Sequence, residues 1–429
     1  MAKVHMNRMM GGVALCLLAF TVAGCTATLV SAQADPAGAS PEVAVTRGFN
    51  VYFLPAKGGH LQAVTTRGNG YAGVYYPWYQ WSPDGRYLLL VRATGSSWTI
   101  LLLNSRGSVL RTLATGPGPA DFYPSWALDR DEIVYVAAQH IAKAQGGLLN
   151  DVARLDLDGR RTLMWRYISH EGCGGGTPDP AMRDYWEEVG FEGRAPTMQW
   201  DPVRHLAIYS ASCTGGLNFT NTETRHTRYQ PASHRSSPIG PWSEAALSST
   251  GQLAATYAGG SVTGLSAANA GGTGTSRLAL ANPRSGAILR TIGAGELPAW
   301  SPDGRTLFFV RRTPGRVLTT RDTLGNTVAL QTYYSAIWQA DSGGTHLRRL
   351  TLQNRFAFGP LNVAPGGHAL IYSAIDNDWA LWRHRQPGGR FSAALLQKYA
   401  PAIAVQRLDV GAAPTVVASN AGRPEIQPR

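Results

Sequence analysis

From about residue 50 to residue 400 the apolar residues fall in short runs of five or six, each closed by a cluster of turn formers. Tyr87–Val91 follows Trp81-Ser82-Pro83-Asp84-Gly85-Arg86, and Thr306–Val310 follows Trp300-Ser301-Pro302-Asp303-Gly304-Arg305. Runs of this length, rich in β-branched and aromatic residues, predict strands. No 3.6-residue apolar period is sustained beyond the first 25 residues, so the body of the chain is expected to be all-β. The Pro-Asp-Gly segment encodes a hairpin: proline fixes φ, aspartate caps the turn, and glycine takes the positive φ that follows.

Weaker copies of this kernel precede strand-like runs at Trp126, Trp200, Leu247 and Val363. Starting from Trp81, the gaps between the six copies are 45, 74, 47, 53 and 63 residues. A constant kernel with irregular gaps predicts a fixed unit with variable loops. The second half of the unit repeats as well. Trp98–Leu103 leads through Asn104-Ser105-Arg106-Gly107 to Val109–Leu113, and Ser335–Ala340 leads through Asp341-Ser342-Gly343-Gly344 to His346–Thr351. Each unit therefore supplies four strands. Trp-Ser-Pro-Asp-Gly-Arg, an aliphatic strand, Asp-Ser-Gly-Gly and Leu-Arg-Arg-Leu-Thr together resemble the WD40-like repeat of TolB-type propellers. The resemblance covers about residues 50–400 and implies a β-propeller of four-stranded blades; it implies little about activity, because such folds serve many roles. An N-terminal half-unit, Asn50–Pro55 with Leu61–Thr65, completed by 404–408 and 415–418, would make seven blades; a different use of those strands would make six.

The first 24 residues read as a signal peptide. Lys3 and Arg8 precede a short apolar run, Gly11–Phe20, and Val22-Ala23-Gly24-Cys25 resembles a bacterial lipobox with Cys25 as the lipidated residue. The rival is an ordinary signal cut near Ala32 or Ala34. Residues 25–45 are rich in Ala, Ser, Pro and Gly and read as the lipidated cysteine and a flexible tether; 46–420 form the propeller domain, and 421–429 a tail. The expected location is exported and membrane-anchored, on the outer face of the cytoplasmic membrane or in the periplasm or outer membrane. Cys173 and Cys213, both in the exported body, are expected to form a disulfide, with free thiols or a metal site as alternatives.

The formal net charge is +12, carried by 35 arginines and 4 lysines. Two of these charges, Lys3 and Arg8, leave with the signal peptide, so the mature chain keeps +10. The arginines are scattered without a block of five or more, which with export argues against nucleic acid and modestly favours an acidic partner. The repeated tryptophans 81, 126, 200 and 300 are expected to pack between neighbouring units, and Asp84 and Asp303 to cap turns.

No Gly-x-Ser-x-Gly elbow and no phosphate-binding loop is present, and a hydrolase domain has no room after the last blade. No catalytic residue, metal or cofactor is expected. Binding candidates lie in two insertions, 169–197 and 214–241: Tyr185, Trp186, Glu187 and Phe191 in the first, with a short helix over Met182–Val189, and His226 and His234 in the second. Long loops on a rigid scaffold are where binding residues collect. The leading expectation is a monomeric, non-catalytic binding or scaffolding module for an envelope protein, peptide or glycopolymer. The alternative is a carbohydrate lyase or hydrolase with its site in the central channel.

Overall fold

A computed structural model describes residues 42–55, 58–70, 73–117, 124–140, 147–170, 198–201, 203–204, 206–210, 226–230, 235–238, 242–257, 276–321, 327–351, 356–358, 361–376, 402–408, 414–419 and 421–427. All regular structure among them is β. The first sheet holds β1 (Glu42–Arg47), β2 (Asn50–Pro55) and β3 (Gln62–Ala63). The second holds β4 (Tyr75–Trp81), β5 (Tyr87–Ala93), β6 (Ser97–Asn104) and β7 (Val109–Pro117). The third is β8 (Ser125–Trp126), β9 (Ile133–His140), β10 (Gly147–Leu155) and β11 (Arg161–His170). The fourth is β12 (Met198–Asp201), β13 (Leu206–Ser210), β14 (His226–Gln230) and β15 (Arg235–Pro238). The fifth is β16 (Trp242–Leu247), β17 (Leu253–Tyr257), β18 (Arg277–Ala281) and β19 (Ile288–Ala294). The sixth is β20 (Glu296–Trp300), β21 (Thr306–Arg321), β22 (Thr327–Asp341) and β23 (Arg348–Arg349). The seventh contains β24 (Phe356–Phe358), β25 (Asn362–Val363), β26 (Ala369–Asp376), β27 (Ala402–Arg407) and β28 (Thr415–Ser419). Last, β29 (Gly422–Ile426) returns to the first sheet and pairs with β1, with Val43 opposite Ile426.

Two sequence-based assignments change here. Residues 402–407 and 415–419 are the outer strands of the seventh sheet, and do not complete the first. The first sheet is completed instead by β29, inside the segment 421–429 read as a tail, and by β1, which begins inside the stretch read as a tether. The Ala/Pro-rich composition before it hid β1, whose Val43, Ala44 and Val45 are fully buried.

The Pro-Asp-Gly turns form as their chemistry predicts. The Ser82 hydroxyl donates to Asp84 Oδ1 at 2.7 Å, the Arg86 amide donates to the same oxygen at 3.0 Å, and Gly85 sits at φ 70°. The second copy matches it: Ser301 Oγ to Asp303 at 2.6 Å, the Arg305 amide at 3.1 Å, and Gly304 at φ 68°. These donors hold the Asp303 carboxyl below the usual carboxylate range. Both aspartates are turn cappers.

Three of the four tryptophans before turns reach the sheet that precedes them through the indole N–H, while the Trp200 Nε1 is buried with no hydrogen-bond partner among the described residues. Trp126 Nε1 donates to the Gln80 carbonyl at 3.0 Å, Trp300 to Ala246 at 3.0 Å, and Trp81 to Glu425 at 3.2 Å. The residue just before the tryptophan position reaches forward. Gln80 Oε1 accepts from the Trp126 amide, Gln199 grips both Leu247 N and Ala245 O, and Asn362 Nδ2 donates to the Pro424 carbonyl. Apolar clusters run across the same seams. One joins Phe53 to Trp81, another Leu102 to Trp126, and others join the fifth sheet to the sixth, the sixth to the seventh, and the seventh to the first. Every sheet touches the next through its first strands or the turns beside them, and β25 and β26 of the seventh touch β29 of the first.

Trp126 is 3 % exposed and both packs and hydrogen-bonds across the second seam. Trp126→Ala is expected to cost about 3–5 kcal/mol by chemical denaturation. Trp126→Phe, which keeps most of the buried ring, is expected to cost no more than about half of that, because it forfeits the indole's hydrogen bond and part of its area. Equal costs for the two would show that packing at this seam does not decide stability.

Candidate functional site

The sheets have two unlike ends. At the end carrying the Pro-Asp-Gly turns, short turns of neighbouring sheets are bonded to one another. Gln427 Nε2 donates to Gly85 O at 2.6 Å, Arg86 pairs with Asp131 at 2.7 Å, and Arg204 donates to Ser249 O at 3.3 Å. Ser249 Oγ in turn donates to Pro302 O at 2.7 Å. The turns joining third and fourth strands add Arg111–Asp158 at 2.7 Å and Gln252 Nε2 to Ser342 O at 3.3 Å. This end is cross-braced by these contacts.

The opposite end carries the long connections. β11 stops at His170 and β12 starts at Met198, while Ser210 of β13 faces His226 of β14; register places all four away from the Pro-Asp-Gly turns. On the same end β21 and β22 run on past their sheet, pairing from Val317 with Gln331 to Arg321 with Thr327, whereas β20 pairs β21 only as far as Val310. The ribbon exposes Val317 and Tyr334.

At the base of this ribbon lies the best-buried ion pair among the described residues. Glu296, opening β20, forms an ion pair with the guanidinium of Arg312 near the sheet end of β21, with side chains 6 % and 9 % exposed. Next to it the Arg311 guanidinium lies 4.4 Å from the Trp338 ring and 5.3 Å from Phe309, and donates to the Ala294 carbonyl at 2.9 Å. Burial pulls the Arg311 pKa down, while the aromatic faces and carbonyl satisfy the charge that remains. On the second sheet, burial pushes the Tyr76 phenol up, opposed by Arg92 and Arg67. Arg92 occupies the position on β5 that Arg311 occupies on β21, each following the last valine of its run.

Of the binding candidates drawn from sequence, only His226 falls in a described element, as the first residue of β14. Tyr185, Trp186, Glu187, Phe191, His234, Cys173, Cys213 and Cys25 lie outside the described residues, as does the helix expected over Met182–Val189. The segment 214–241, read as one long loop, contains β14 and β15, the outer half of the fourth sheet. Its Thr/Arg/Ser/Pro composition lacks the apolar alternation of its counterparts, which explains the misreading. Sequence reasoning also missed the Glu296–Arg312 pair; the only signal was a second arginine after Val310. Among the described residues no group of three or more His, Cys, Asp or Glu side chains is placed to hold a metal ion. Asp201 and Glu296, the described acidic side chains on first strands with a resolved ion pair, are matched by Arg204 and Arg312 of their own sheets.

No family model matches the chain, and no curated protein matches it either. Solved structures similar to it include an oligogalacturonate lyase in complex with manganese, at 15 % identity over 89 % of this chain and 86 % of that one, with a TM-score of 0.44. The C-terminal WD40 domain of Sif2 is 10 % identical over 87 % and 91 %, with a TM-score of 0.43. The Myceliophteria thermophila Cps50 (Swd1) β-propeller domain is 13 % identical over 72 % and 82 %, with a TM-score of 0.39. At these levels the likeness says nothing of activity.

Proposed function

We propose that the seven sheets are blades of one closed propeller, and that the chain is a lipid-anchored, exported, non-catalytic module that binds an envelope protein, peptide or glycopolymer. Closure is supported by the pairing of β1 with β29 and by the succession of contacts from each sheet to the next and back to the first. One observation carries the binding reading. One end of the sheets is braced through contacts such as Gln427 to the Gly85 turn, whereas the other carries the long connections and the β21–β22 ribbon, and long connections on a rigid scaffold are where a partner is met. The inner-strand carboxylates Asp201 and Glu296 are held by structural arginines, which favours binding over channel chemistry.

The test is a crosslinking pull-down from intact cells with the lipidated protein, read by mass spectrometry beside a variant whose residues 171–197 are replaced by a short Gly/Ser linker. A recurrent envelope component recovered with the first and absent from the second supports the reading. The same component recovered with both would move binding off that end, and recovery of none would remove the scaffold reading.

A further inference from the structure

Two outer strands of this molecule are built to the same plan and differ in one charge. In the second sheet Leu103 pairs with Val109 and Leu102 with Arg111, so Leu110 is a bulge; in the fifth, Ala281 pairs with Ile288 and Leu280 with Arg290, so Leu289 is the same bulge. The turn of the following sheet rests on each strand in the same way. A Cβ on Gly159 would meet Leu113 at 3.2 Å, and one on Gly344 would meet Ile292 at 3.1 Å and the Arg290 stem at 3.3 Å. Both glycines close equivalent turns, Gly159 to Asp156 O and Gly344 to Asp341 O. Hence Arg290 corresponds to Arg111, and Gly343 to Asp158.

Arg111 is neutralised by Asp158 at 2.7 Å. The Arg290 stem meets the Asp341–Gly344 turn at Gly344 and, among the described residues, Arg290 pairs with no carboxylate. The chain leaving that turn adds Arg349 on β23, exposed and opposite Trp338 on the face toward the fifth sheet, whereas Arg348, opposite Gln339, lies on the other face of the strand. The nearest acid in the turn, Asp341, is occupied by Thr345 and His346. Close to these two arginines in the chain stand exposed apolar side chains, Leu289 at the bulge, 67 % exposed, and Leu347, 41 % exposed. Exposed aliphatic groups interleaved with arginine are the composition of a protein interface, and a sugar polymer would leave the leucines uncovered. β19 is also the edge of its sheet, where an extended segment can lie alongside.

We infer that the outer edge formed by β19, the Asp341–Gly344 turn and β23 is a docking surface for an extended, acidic and apolar segment of a partner protein, its carboxylates meeting Arg290 and Arg349. This surface lies on the outer strands, apart from the long connections, so its test stands independently of the pull-down above. The probe is a ten-residue peptide alternating aspartate and leucine, titrated into the full mature chain by fluorescence anisotropy at low and at near-physiological salt. Binding is expected, weakened by salt as screened charges require. Gly343→Asp supplies Arg290 with the counter-charge that Arg111 has, and is expected to weaken binding at least fivefold with an unchanged melting temperature. Arg349→Ala is expected to do the same, as a second variant of unaltered fold. Peptide affinity untouched by both variants would overturn the proposal. Equal, equally variant-sensitive binding of polygalacturonate would overturn it too, since that marks a general polyanion site.

Discussion

A chain ending at residue 420 is expected to lose its single cooperative unfolding transition, or to melt far below the full-length protein. The nine residues removed include β29, whose backbone pairs with β1 at Val43, Ala44 and Thr46. Three further hydrogen bonds converge on this segment: Trp81 Nε1 and Asn362 Nδ2 donate to its carbonyls, and Gln427 donates to Gly85 O. Ala421 and Ile426 are buried in a cluster with Val43, Val45, Leu54 and Ile371, which links the seventh sheet to the first. Buried apolar area and these bonds together amount to roughly 5–10 kcal/mol, comparable with the whole stability of a domain. Calorimetry of the truncated chain decides the matter. A single transition at the full-length temperature would mean that β1 and β29 do not close the domain. Adding back a synthetic 421–429 peptide is expected to restore part of the melting temperature, by mass action on the folded state.

The second large effect is expected from Glu296→Ala. With Glu296 gone, the guanidinium of Arg312 stays buried without its counter-charge, and breaking a buried pair from one side costs about 3–5 kcal/mol. Replacing both partners, as Glu296→Leu with Arg312→Met, is expected to cost much less, because no charge remains to be desolvated. The exposed pair Arg111–Asp158, with side chains 48 % and 67 % exposed, serves as the control; Asp158→Ala is expected to cost no more than about 1 kcal/mol. Urea unfolding of the three variants beside the unaltered chain tests this directly. A Glu296→Ala cost no larger than that of Asp158→Ala would show that water reaches the buried pair.

The local units of this fold are legible in the sequence because their causes are local. Ser-Pro-Asp-Gly sets a hairpin through its own hydroxyl, carboxylate and glycine φ, and the two clear copies at 82–85 and 301–304 carry the same bonds. The four-strand unit, the all-β class and the packing role of the tryptophans follow from that repeat. What stayed hidden depends on partners distant in sequence. β1 lies within a stretch composed like a linker, and becomes a buried strand only because Ile426 and Pro55 flank it. β14 and β15 lack apolar alternation and are strands because β13 offers them an edge.

The same division holds for function. The reading of residues 1–24 as a signal peptide with a lipobox-like Cys25 rests on the sequence alone, as does the lack of recognised catalytic motifs. Which end of the sheets is braced and which carries the long connections depends on the direction in which each strand runs. That is fixed only when the sheets pair. The unmatched charge of Arg290 is a tertiary fact for the same reason: whether an arginine meets Asp158 or the Gly344 turn depends on which turn of the next sheet rests upon it. Sequence spacing determined the repeating unit, because hairpins are encoded by neighbours. Contacts between units decided which strands complete the first sheet, orientation and unpaired charge, because those are set by residues tens to hundreds of positions apart.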